Sequence, residues 1–207
     1  MAVRHGADWT ARFPYRQPDP EPEPPGSGGV PPWLEERLFD RRIVILSGLS
    51  PTAASQATAS LMTLDVIGIG RVQLHVTAVD GELSAAFAVV DAIASMRAPV
   101  DAVVPSQAGG AALAVLAAAR QRVAFPHARL RLVEPHATVP SGTAEKVAGA
   151  AGEYLRELDE LIVRLAEVTG QPRSRIEDDL SAGRVLSAVE AKEYGLIDDI
   201  VGRVPDA

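Results

Sequence analysis

The chain contains no cysteine. A disulfide framework and a thiolate metal site are therefore both excluded. Aromatic residues make up only 4% of the sequence, so any core must be built from Ala, Val, Leu and Ile. There is no excess of positive charge either. The formal net charge is −7, and no basic run interrupts it, which argues against nucleic acid or an anionic membrane as a partner. No window approaches the roughly 18 uninterrupted apolar residues of a transmembrane helix. The opening stretch "MAVRHGADWTARFPYRQ" lacks the apolar segment of a secretory signal. The expectation is a cytoplasmic protein that meets no membrane.

What is present is a 207-residue chain with 47% hydrophobic residues, enough for one domain with a real core plus a tail. Residues 1–31 form the expected tail. "RQPDPEPEPPGSGGVPP" alternates Pro with Asp and Glu before turning to Gly and Ser. Proline removes backbone donors, and this stretch has no face to bury. A disordered, acidic, Pro-rich leader is expected, with a partner-binding arm as the alternative. Residues 32–207 form the domain, opening on a short helix, "WLEERLFD".

From Arg42 onward, strands and helices alternate. "RIVILSG" reads as a strand covered on both faces. "SPTAASQATASLMTLDVIG" reads as a helix with Ser50 as N-cap and Pro51 at its first position. The strand "RVQLHVTAV", the helix "GELSAAFAVVDAIASMR", the strand "PVDAVVP", a helix over 111–119 and the strand "ARLRLVEP" follow. This alternation predicts an α/β fold with a parallel sheet and right-handed crossovers. One long helix then spans about 143–169, with Val147, Tyr154, Leu158, Leu161 and Leu165 on its apolar stripe. It is longer than a small sheet needs, and such a helix often projects toward a partner. "LSAVEAKEYGLIDDIV" carries a capping box, Ser187 with Glu190, and Gly195 as the helix stop.

The stretch "VVPSQAGGAALAVLAAA" has the strand–turn–helix form in which a hydrolase exposes its nucleophile. Its turn offers only Ala108, Gly109 and Gly110, and the nearest hydroxyl is Ser106. The histidines His5, His75, His127 and His136 are scattered, with no i, i+4 pair, so no metal site is expected. The glycines of "GIGRVQ" and "GAAG" lack the context of a dinucleotide loop. No cofactor is expected.

From Trp33 to Val204 the chain resembles the Clp protease proteolytic subunit (ClpP) family. "LSAVEAKEYGLIDDIV" is similar to that family's C-terminal signature, and "RIVILSG" to its first strand. "FPHARLRLVEP" resembles the strand entering its handle, and the long helix ending in "VTGQ" resembles the handle helix. The resemblance implies a ClpP/crotonase-like ββα spiral with a projecting handle. It also implies serine peptidase chemistry, which needs a hydroxyl, an imidazole and a carboxylate in contact, with N–H donors for the oxyanion.

Carried across motif by motif, those positions are empty. The nucleophile slot falls on Gly110, or on Ala108 with a different gap. The general-base slot falls on Val133, before Glu134 and Pro135. The carboxylate slot falls on Gly183. The oxyanion turn falls on "TAVDG", where Gly81 is kept and Asp80 brings a charge of the wrong sign. A relocated triad of Ser106, His136 and Asp178 or Asp179 is the rescue reading.

The leading expectation is thus a catalytically inactive ClpP-like subunit. It would assemble as a homo-oligomeric ring or as a mixed ring with an active ClpP-like paralogue. By resemblance, ring-to-ring contact would run through Val147, Tyr154, Leu158, Leu161 and Leu165. Docking to an AAA+ unfoldase is put in doubt by Gln73 and His75, which stand where tyrosine is frequent in the family. The alternatives are an active serine endopeptidase subunit, a crotonase-like acyl-CoA binding protein, and an interaction scaffold.

Overall fold

A computed structural model describes residues 31–137 and 141–202. The expected tail and the extreme C-terminus lie outside the described residues. Helix α1 (Pro32–Asp40) opens with Pro32 at its first turn, a position where the missing N–H costs nothing. It leads to β1 (Ile43–Leu46), the first of five strands in a sheet of order β1-β2-β3-β5-β8. The others are β2 (Val72–Val76), β3 (Val100–Val104), β5 (Gln121–Ala124) and the two-residue β8 (Asp199–Ile200). All four pairings are parallel, as the strand–helix alternation predicts.

The crossovers are α2 (Pro51–Ile67), α3 (Leu83–Ser95) and α4 (Ala112–Ala118). Ser50 caps α2 by accepting the Ala53 N–H. Leu61 and Leu64 of α2, Val89 and Val90 of α3, and Leu113 and Leu116 of α4 bury against Leu46, Leu74, Ala102 and Val104 of the sheet. Where aromatic side chains are scarce, alanine lets the helices approach closely: Ala86, Ala111, Ala112 and Ala114 are fully buried. Asp65 ties the end of α2 to the approach of β3. Its carboxylate accepts the Ala98 N–H at 2.8 Å and the Arg97 N–H at 2.9 Å. These donors, with the Arg97 guanidinium, hold its pKa below the ordinary carboxylate value.

A second sheet of three strands has the order β4-β6-β7. It comprises β4 (Gln107–Gly109), β6 (Arg129–Leu132) and β7 (Arg184–Ser187), with β4 parallel and β7 antiparallel to β6. The sequence reading contains β6 but not β4, β5 or β7. All three are only three or four residues long, and tertiary pairing rather than periodicity defines them.

The long helix α5 spans Ala144–Thr169 and is capped by Thr143 and by Gly170 in the left-handed conformation. Helices α6 (Arg173–Ala182) and α7 (Ala188–Tyr194) flank β7 and lead to β8. The capping box of Ser187 and Glu190 forms as expected, and Gly195 takes the left-handed stop position at φ 88°.

One expectation about α5 needs correcting. Leu161 and Leu165 are completely buried in the chain's own core, with Ile162 beside them. The C-terminal half of α5 packs against α3, α4 and α6. Those two leucines therefore cannot meet a partner. The stripe in the sequence is continuous, but its two halves face different things. Leu158 and Tyr154 are partly covered by the core, Val147 is half-buried, and Leu155, off the predicted stripe, is 62% exposed.

Candidate functional site

The three-stranded sheet brings together the positions that the sequence reading takes from separate motifs. Gly110 follows β4 and sits at the entrance of α4 with φ 54°. Its N–H donates to the Arg131 carbonyl of β6. A Cβ on Gly110 would stand 3.8 Å from Val133 Cγ1 and 3.3 Å from the Val79 carbonyl oxygen. Val133 immediately follows β6. The antiparallel register pairs Leu132 with Arg184, so the next step sets Val133 opposite Gly183. Gly183 ends α6 at φ 68°, and a Cβ there would meet nothing within 4 Å.

Gly110 and Val133 thus lie just past the ends of β4 and β6, within contact distance of each other, and Gly183 lies just before β7 with open space around its Cβ position. None carries a hydroxyl, an imidazole or a carboxylate. Ala108 is fully buried within β4; Gly110, not Ala108, is the turn residue facing Val133.

A recess of about 250 Å³ lies over Gly110 and Val133, lined also by Val79, Asp80, Arg131, Glu134, Pro135 and His136. On its rim His136 Nδ1 sits 2.9 Å from Asp80 Oδ1. The same Asp80 oxygen accepts the Gly81 N–H at 2.8 Å. These contacts, the imidazole first, hold the Asp80 pKa below its ordinary value. An amide that could serve a developing oxyanion is instead occupied by the carboxylate beside it. That carboxylate adds negative charge where negative charge would develop.

Gly81 is fixed there by close packing. A Cβ would come within 2.3 Å of Leu49 Cβ and 2.9 Å of the Leu49 carbonyl oxygen.

The relocated triad does not assemble. The Ser106 carbonyl accepts the Arg129 N–H, which places Ser106 at the start of the β4–β6 pairing. His136 lies beyond the other end of β6. From Arg129 to Val133 is already about 13 Å at the rise of an extended strand. Asp179 is taken up elsewhere: it accepts the Tyr194 hydroxyl at 2.7 Å and pairs with Arg184 at 3.1 Å. Burial, then the neighbouring Asp179, raise the Tyr194 pKa. Asp178 is exposed.

The pairing of His136 with Asp80 was not anticipated. The two are 56 residues apart, and no local motif joins them. The nearby Tyr154 hydroxyl donates to the Pro135 carbonyl at 2.6 Å and lies 3.1 Å from Glu134 Oε1. This fastens the handle to the segment that leaves Val133. Among the described residues no group of three or more His, Cys, Asp or Glu could hold a metal ion. Among them, too, no helix is long and apolar enough to cross a membrane.

Comparison with known proteins matches residues 33–204 to the Clp protease family model. The chain belongs to the Clp protease family. It is 31% identical over 169 residues to the ATP-dependent Clp protease proteolytic subunit 1 of Thermobifida fusca, covering 80% of this chain and 76% of that one. It is 32% identical over 200 residues to the proteolytic subunit 1 of Gloeobacter violaceus, covering 94% and 96%. A proteolytic subunit-related protein of the Arabidopsis thaliana chloroplast is 31% identical over 198 residues, covering 93% of this chain and 68% of that one. The α/β architecture with its parallel sheet is that of a Clp protease subunit, as the sequence resemblance implies.

Proposed function

We propose that this chain is a Clp protease subunit without peptidase chemistry of its own, acting as a structural or regulatory member of a Clp-type protease ring. The observation that carries the reading is that Gly110 faces Val133, whose Cγ1 lies 3.8 Å from where a Gly110 Cβ would stand, with no hydroxyl and no imidazole between them; Gly183, just before β7, adds no carboxylate. Serine hydrolysis needs all three groups in contact, and a single misaligned motif would not empty both facing positions. The occupied Gly81 amide supports the same reading.

Assembly is proposed as a ring of this chain or a mixed ring with an active ClpP-like paralogue. The surface proposed for ring-to-ring contact is the projecting N-terminal half of α5, with Val147 and Leu155, and not Leu161 or Leu165. Docking of an AAA+ unfoldase through an apolar anchor would be weak. The face of the five-stranded sheet turned away from α2 carries Gln73 and His75, which lie 3.4 Å apart, and Asp101. Polar groups there would have to be desolvated by an apolar anchor.

The test is to purify complexes through a tag on this chain, co-expressed with each Clp-type paralogue of its genome, and weigh them by native mass spectrometry. A mixed ring is the expected result. A solitary protein with no oligomer, alone or with a paralogue, would overturn the assembly half of the proposal.

A further inference from the structure

Helix α2 ends in a run of apolar side chains that the fold leaves in water. Met62, Val66, Ile67 and Ile69 are all exposed, Val66 by 81% and Ile69 by 72%. Single exposed apolar residues are ordinary, but several in one place mark a contact surface. The backbone beneath these four is firmly held. The Arg42 guanidinium donates through Nη2 to the Leu64 carbonyl at 3.0 Å and to the Gly68 carbonyl at 2.8 Å. The Asp65 carboxylate accepts the Arg97 and Ala98 N–H groups, which ties the segment to the approach of β3. The Ser95 hydroxyl lies 3.6 Å from Met62 Sδ, so the end of α3 stands beside the first of the four. The apolar ledge is therefore built before anything meets it, which lowers the ordering cost of binding.

The border of the ledge is positive. Arg97 pairs with Asp65 at 3.3 Å and Arg71 with Asp101 at 3.0 Å. In both pairs the carboxylate is buried and the arginine is exposed, so the surface shows the guanidinium. Asp65 is the only carboxylate in residues 60–71, and residues 92–100 contain none. The whole chain carries a net charge of −7, so this end departs from the rest. A guanidinium presents its N–H donors in a rigid fork suited to carboxylates. The buried partners hold each arginine from beneath and leave donors on the solvent side.

We propose that this ledge docks an acidic amphipathic segment of a partner protein, with its apolar side chains on Val66, Ile67 and Ile69 and its carboxylates on Arg71 and Arg97. A helix with apolar anchors at i, i+3, i+4 and i+7 and glutamates beside them has that chemistry. Apolar contact supplies the burial, and the two guanidinia select the sign of the partner's charge. The proposal rests on the fold and not on the emptied catalytic positions, so either can fail alone.

The test uses the full chain. It has no cysteine, so Thr63→Cys takes a single environment-sensitive dye at an exposed position beside the ledge. The probe is a synthetic helix with leucines at i, i+3, i+4 and i+7 and glutamates elsewhere. A second peptide has lysine for every glutamate. The dye is expected to respond saturably to the glutamate peptide, with the lysine peptide bound about tenfold or more weakly. Val66→Ser together with Ile69→Ser should weaken the glutamate peptide about tenfold or more. The urea midpoint should stay unchanged, because both side chains are exposed. Arg71→Gln should weaken binding as well and flatten its salt dependence. No response to the glutamate peptide would overturn the proposal. So would equal binding of the two peptides, or binding that survives Val66→Ser with Ile69→Ser. A dye shift that grows with protein concentration alone would give the ledge to a second copy, and a shift seen only with phosphatidylglycerol vesicles would give it to a membrane. Either result would overturn it too.

Discussion

At Gly81 the space available to a side chain is smaller than a methyl group. The approach of Leu49 leaves 2.3 Å for a Cβ, and the backbone stands at φ 152°. Gly81→Ala is expected to cost about 1–3 kcal/mol through backbone displacement, read as a lower urea midpoint with an unchanged slope. Gly110 makes the opposite case. It is also at positive φ, but its nearest obstacle is a carbonyl oxygen at 3.3 Å. Gly110→Ser should therefore fold at a cost of about 1–2 kcal/mol, and it should remain without peptidase activity because the facing residue is Val133. A chromogenic peptide assay together with a denaturation curve checks both halves of that statement.

At the scale of elements, much was legible because the signals are local. Ser50 before Pro51, Ser187 three residues before Glu190, and Gly195 after Tyr194 are short-range capping patterns whose physics does not depend on the rest of the fold. Ser187→Ala is expected to cost about 1 kcal/mol, measured as a loss of stability with the fold intact. What could not be read was non-local. The short strands β4, β5 and β7 exist because partners pair with them. The Asp80–His136 contact joins a turn to a segment beyond β6. The apolar stripe of α5 was visible as a stripe, but nothing in a periodicity says that Leu161 and Leu165 face the chain's own core.

Long-range ties between elements also set the pH response. Asp65 and Asp80 have pKa values lowered in the folded chain. Each therefore contributes stability above the ordinary carboxylate pKa of about 4, and that contribution is lost as pH falls through the lower, folded values. Urea midpoints at neutral and acid pH should fall more steeply for the parent chain than for Asp65→Asn, which has no such carboxylate left to protonate.

For the whole molecule, the divided handle gives a sharp contrast. Leu161→Ala removes a fully buried side chain from the core and should cost about 2–5 kcal/mol. Leu155→Ser touches an exposed position and should leave the denaturation curve nearly unchanged while weakening assembly between rings, as read by native mass spectrometry. Equal effects of the two on stability would contradict the division of α5 into a core half and a projecting half.

The central claim is that a retained Clp protease scaffold here carries no serine nucleophile. The direct measurement is the intact mass of this chain after treatment with a fluorophosphonate, in a complex with an active Clp-type paralogue that serves as its internal control. The account predicts an adduct on the paralogue and an unmodified mass for this chain. A stoichiometric adduct on this chain would show that a nucleophile is present and would contradict it.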